Sequence, residues 1–175
     1  GRHGLSEPHG NIVAQGAEAA VPHSQGDSER QLSEGESLIV DLFPKGRLYA
    51  DCTRTFCVGE PRGELAAAHE LVARALRRAH ALLPGAADGA TGSDTRDGAA
   101  RSGWDLQAAT CDLFEAKHFA TLRRDPNATE GYVHGLGHGV GYELHETPSF
   151  RQGAGEAGLL EPGIEFKVDP VEEFM

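Results

Sequence analysis

The chain has 175 residues, enough for one domain around one sizeable core. Its formal net charge of −11 repels phosphate backbones and anionic lipid, so neither nucleic acid nor a membrane surface is an expected partner. No apolar run is long enough to span a bilayer, and the opening GRHGLSEPHG lacks the charged start and apolar core of a secretory signal.

The first ten residues read like the middle of a domain, and the chain stops at Phe174-Met175 just after a strand-like run. Both ends are therefore expected to be truncations. Asn11 to Gly16 (NIVAQG) predicts a short strand closed by glycine, followed by a polar stretch through Gly35. Glu36 to Phe43 (ESLIVDLF) is a second strand, and PKGR at 44–47 is turn-like. Leu48 to Val58 (LYADCTRTFCV) is rich in β-branched and aromatic residues and reads as a third strand, ended by Gly59-Glu60-Pro61.

Gly63 to Leu83 predicts a helix with Leu65, Val72, Leu76, Ala79 and Leu83 on one face, stopped by Pro84-Gly85. The small, polar, glycine-rich segment 86–103 predicts a mobile loop or insertion. A second helix is expected over Trp104 to Lys117, with Leu106, Ala109 and Leu113 on one face. Tyr132 to His145 is glycine-laced and strand-like, and Ile164 to Val168 is a final strand. Strands and helices mix without regular alternation, which predicts an α+β domain with a curved antiparallel sheet. Cys52, Cys57 and Cys111 are an odd count without paired metal spacing, which favours a reducing cytoplasm over a disulfide framework.

Asp is disfavoured inside strands, yet one sits in IVDLF and another in YADCTRTF. A hairpin turning about Gly46 would set Asp41 directly opposite Asp51, on one face, with Cβ atoms about 4.5–5.5 Å apart. Like charges so placed are destabilising unless something positive lies between them, and a divalent metal suits two carboxylates. The bland alternative has one Asp at a strand end in solvent. Arg54 has the wrong parity to share a face with Asp51.

Residues 134–146 read HGLGHGVGYELHE. The interleaved glycines argue against a helix, so this is not the helical zinc signature. In an extended chain His134 and His138 share a face, whereas His145 needs a bend to join them. Glycines in a strand mark close approach of backbone to a ligand or to another strand. The remaining His3, His9, His69, His80 and His118 read as surface or core residues. In EFKVDP, Asp169 precedes Pro170, where by the residues alone a strand-terminal turn is the better account.

Five blocks together, IVAQGAEAAVPH, LSEGESLIVDLF, YADCTRTFCVGEP, TLRRDPNATEGYVHGLGHGVGYELHE and LLEPGIEFKVDP, resemble the pita-bread metallopeptidases. They span roughly residues 11–170. Their combination resembles the Xaa-Pro aminopeptidase and prolidase branch more than the methionine aminopeptidases. The resemblance implies an incomplete pita-bread (creatinase/aminopeptidase-like) fold, a curved antiparallel sheet flanked by helices. Residues 1–175 would form a partial metallopeptidase catalytic domain. It implies two divalent metal ions, Mn first with Co or Zn as alternatives. Asp41 would bind one ion, Asp51 both, His138 the second, and Asp169 would stand where the family has a glutamate that also shuttles a proton. His134 and His145 match histidines that contact substrate and stabilise the intermediate, and His23 one that lines the substrate pocket.

The implied activity is hydrolysis of Xaa-Pro dipeptides or N-terminal Xaa-Pro bonds by a metal-bridged hydroxide, with a peptide as substrate and a homodimer as a compatible assembly. Two departures from the pattern stand out. Asp169 is one methylene shorter than glutamate, and the family's final bridging glutamate lies on a later strand that this chain does not reach. They favour, as the alternative, a catalytically inactive pita-bread domain that binds peptide or protein. A creatinase-like amidinohydrolase is a further alternative of the same fold.

Overall fold

The structure is a computed structural model that describes residues 4–21, 24–61, 63–83, 101–161 and 164–168. Among these, six strands and two long helices follow one another along the chain: β1 (Ile12–Gln15), β2 (Ser37–Leu42), β3 (Cys52–Cys57), α1 (Gly63–Leu82), α2 (Gly103–Glu115), β4 (Gly137–Gly139), β5 (Glu146–Ser149) and β6 (Phe166–Val168). They form two antiparallel sheets of three strands each, ordered β1-β2-β3 and β5-β4-β6. The mixture is α+β, as the sequence predicts.

In the first sheet β2 is central and its side chains alternate between buried and half-exposed, the pattern of a sheet with one face on a core. The β2–β3 register differs from the expected one. Asp41 faces Thr53 and Leu42 faces Cys52, so the turn centres on Arg47 rather than Gly46. The excursion between the strands is held by its own bonds: Ala50 N–H donates to Pro44 O, and Lys45 pairs with both Tyr49 and Ser6. Moving the turn by one residue moves the register by two. Two residues is one full side-chain period, so Asp41 and Asp51 still share a face, now as diagonal neighbours.

The second sheet is built around glycine. A Cβ at Gly137 would strike the carbonyl of Lys167 in β6, and one at Gly139 that of Thr147 in β5. The expected long strand over Tyr132 to His145 is thus only three residues, because the chain bends after Gly139 and tucks Val140 and Leu144 into the core of the first sheet. The return strand β5 was not expected from the sequence.

Two apolar clusters hold the fold. One joins α1 and α2 to Tyr132, Leu136 and Phe150, and the other joins Ile12, Ala14, Ile39, Phe43 and Tyr49 to Val140 and Leu144. The α1 stripe is rotated from the expected one: Leu71, Val72, Ala75 and Ala79 are buried, while Leu65 and Leu76 lie at its margin. In α2 the buried face is Leu106, Gln107, Thr110, Cys111 and Phe114, with Ala109 and Leu113 flanking it. Helix α2 begins at Gly103, where the helix meets the ring of Phe150 too closely for any Cβ. Ser102 caps it and accepts from Asp105 N–H, while the Asp105 side chain accepts from Ser102 N–H, a reciprocal capping box. Most of the expected 86–103 loop lies outside the described residues.

Candidate active site

The two sheets face each other across a cavity of roughly 430 Å³. The first sheet contributes Asp41 from β2 and Asp51 from the residue before β3. The second contributes His138 from β4 and Lys167 from β6, which sit directly opposite one another in the β4–β6 register. His145 enters from the bend between β4 and β5, and its ring centroid is 4.1 Å from that of His138. The bend that the parity of His145 demands is therefore present.

Both carboxylates are buried, with side chains 4% and 3% exposed. Thr53, directly opposite Asp41, donates its hydroxyl to Asp41 Oδ1 at 2.5 Å. Lys167 Nζ lies 3.2 Å from Asp41 Oδ1, 2.5 Å from Asp51 Oδ1 and 2.8 Å from Thr53 Oγ1. His138 Nε2 is 3.5 Å from Asp51 Oδ2. Since Nδ1 of that ring lies 3.0 Å from the Gly139 carbonyl, which can only accept, Nδ1 carries a proton, and the neutral form of the ring has its lone pair on Nε2, facing the cavity. Burial raises the Asp51 pKa above the usual carboxylate range; the Lys167 ammonium opposes that rise, the Asp41 charge adds to it, and His138 opposes it weakly.

Of the residues named from the sequence, Asp41, Asp51, His138 and His145 come together around this cavity. His134 stands apart from its walls: its ring packs edge-on against Tyr132, and its Nδ1 is 2.7 Å from the Gly135 carbonyl. Its Nε2 is buried without a partner among the described residues. His23 and Asp169 lie outside the described residues.

Three participants were not singled out by sequence reasoning. His9, read there as bland, lines the cavity and packs on Tyr49. Gln107 on α2 accepts from Leu136 N–H at 2.5 Å and from Tyr132 Oη at 3.2 Å, which fixes the segment leading to His138. Lys167 had a readable signal, for in EFKVDP it shares parity with Asp169. A strand that aims Asp169 at a metal aims Lys167 the same way.

The donor types fit a divalent cation: two desolvated carboxylates and an imidazole with a free lone pair. The ammonium of Lys167 acts as a stand-in that marks where this pocket wants positive charge. Among the described residues the His, Cys, Asp and Glu side chains do not close to metal-ligand spacing, and the acidic pair is instead closed on the ammonium.

The folding pattern and the site together define a pita-bread domain with an acidic-imidazole centre. Comparison with known proteins places it further. The metallopeptidase family M24 matches residues 1–172, and the chain belongs to that family. It is 32% identical over 171 residues to the probable dipeptidase PepE of Mycobacterium tuberculosis, covering 95% of this chain and 38% of that protein. It is 29% identical over 168 residues to the Xaa-Pro dipeptidase of Pyrococcus furiosus, covering 91% of this chain and 38% of that one. The crystal structure of dipeptidase PepE from Mycobacterium ulcerans superposes with a TM-score of 0.67 at 27% identity, over 94% of this chain and 38% of its own. The chain thus spans well under half the length of these relatives. Among the described residues no helix is long and apolar enough to cross a membrane.

Proposed function

We propose that this chain serves peptide-bond hydrolysis, with Xaa-Pro dipeptides or N-terminal Xaa-Pro bonds as the substrate class. The observation that carries this reading is the convergence of Asp41, Asp51, His138 and His145, from four separate stretches of chain, on one cavity in an M24 domain. The names of the relatives, dipeptidases and Xaa-Pro dipeptidases among them, support the substrate class.

Asp41, Asp51 and the Nε2 lone pair of His138 would hold divalent metal, Mn being the expected ion. Such an ion, when bound, supplies Lewis-acid polarisation of a carbonyl and acidification of a water molecule. The protein's own groups do the rest. Ile12, Phe43 and Leu144 give the cavity an apolar wall against which a substrate side chain or a pyrrolidine ring packs. His145, its ring centroid 4.1 Å from that of His138, is placed to donate toward a peptide oxygen as charge develops on it. Asp169 is the proposed proton carrier, and His23 and His134 are proposed to orient the residues flanking the scissile bond. A reducing cytoplasm is the proposed working compartment.

The direct test is hydrolysis of a panel of dipeptides by the Mn-loaded protein. Cleavage of Xaa-Pro substrates in preference to non-proline ones, lost in Asp51→Ala, is the expected result. A second reading, a peptide-binding domain without hydrolytic activity, is favoured by the Lys167 ammonium between the carboxylates. In that case calorimetry would detect Xaa-Pro peptide binding while the same panel stayed uncleaved.

A further inference from the structure

We propose that Lys167 is a resident counter-ion of the Asp41–Asp51 pair, so that its ammonium and a divalent cation exclude one another at this site. The proposal rests on the reading of Asp41 and Asp51 as metal ligands.

The geometry is that of a built ion site. An ammonium has three N–H donors, and Lys167 Nζ has three oxygens in reach on the first sheet: Asp51 Oδ1 at 2.5 Å, Thr53 Oγ1 at 2.8 Å and Asp41 Oδ1 at 3.2 Å. Thr53 in turn donates its hydroxyl to Asp41, so a chain of hydrogen bonds runs from the lysine through the threonine to the accepting aspartate. The lysine side chain is only 11% exposed, and the strand that carries it is paired with β4. Phe166 and Val168, of opposite parity, pack against the helical core, which leaves Lys167 pointing into the cavity. Its backbone carbonyl closes on Gly137, so the register that sets Lys167 beside His138 has no room to drift.

Charge explains why the two cations cannot share the pocket. Two carboxylates and one ammonium leave one negative charge, enough to favour the lysine but too little to hold a dication beside it. A metal ion coordinates carboxylate oxygen at about 2.0–2.2 Å. An ion on Asp41 and Asp51 would therefore lie in the space that the ammonium now fills, and the two would repel strongly in a poorly hydrated site. Metal must displace Lys167, and its affinity is reduced by the contacts that Lys167 gives up.

The experiment is calorimetric titration of MnCl₂ into the wild-type chain, Lys167→Met and Lys167→Gln, with thermal melts of each protein in EDTA and in excess Mn. Methionine keeps the length of the stem and removes the charge. Glutamine also retains a polar head and serves if the methionine variant does not fold. Both variants are expected to bind Mn at least about tenfold more tightly than wild type. They are also expected to melt lower than wild type in EDTA, because two carboxylates are then left without a cation, and to recover on adding Mn. Equal affinity in all three proteins, or tighter binding by wild type, would overturn the proposal while leaving the metal-dependent reading intact. Absence of Mn binding in all three would overturn both.

Discussion

At the scale of single residues, the site is governed by how two buried carboxylates are kept from repelling each other. The family resemblance assigns Asp51 to both proposed ions and Asp41 to one, so Asp51→Ala is expected to remove bound Mn more completely than Asp41→Ala. Metal content by mass spectrometry after dialysis would show this, and equal content in the two variants would contradict a bridging role. Thr53 has a separate, structural part. It sits opposite Asp41, and its hydroxyl both accepts from Lys167 and donates to that carboxylate. Thr53→Val leaves a buried charge short of a hydrogen bond and should cost about 2 kcal/mol in urea denaturation, with the fold unchanged. The aspartates themselves were legible because Asp is out of place inside apolar strands. Their exact pairing was not, since the turn's own hydrogen bonds set its centre and these depend on Ser6, far away in sequence.

At the scale of elements, α2 is anchored at both ends by polar devices that act through different physics. At its start, Ser102 and Asp105 cap each other, and Ser102→Ala should cost about 1 kcal/mol. At its end, the Glu115 carboxylate receives Arg123 through two nitrogens, at 3.0 and 2.6 Å, together with the Thr121 hydroxyl at 2.6 Å. These bonds tie the helix to the turn that leads to Tyr132. The Arg123 hydrogen bonds, opposed by burial and aided by Thr121, hold the Glu115 carboxyl below its ordinary value of 4.5. A depressed carboxyl stabilises the fold above the unfolded-state pKa and loses that contribution as pH falls through the folded-state value. Acid titration of stability should therefore show a loss setting in below the ordinary glutamate value, and Glu115→Gln should flatten it. The glycines of β4 are the other device. Gly139→Ala would drive a methyl into the Thr147 carbonyl, and it is expected to break the β4–β5 pairing and displace His138, seen as loss of amide protection in that sheet.

At the scale of the whole molecule, the cavity exists because two separate sheets are pressed together by chain that runs between them. Val140 and Leu144 leave the second sheet to fill the core of the first, and Tyr49 N–H donates to Gly141 O at 2.8 Å across the junction. The helical cluster supports the second sheet from behind, with Phe114 fully buried and stacked on Tyr132 at 4.7 Å between ring centroids. Phe114→Ala should cost about 4 kcal/mol in chemical denaturation through the cavity that it opens. The sequence by itself determined the α+β class, the first three strands, both helices and the candidate carboxylates and histidines, because periodicity, turn chemistry and misplaced polar residues are local signals. Only the tertiary structure decided the two-residue register shift, the shortness of β4, the presence of β5 and the position of His9. It alone showed that Lys167 enters the acidic pocket, since which cation meets a pair of carboxylates depends on a strand more than a hundred residues away.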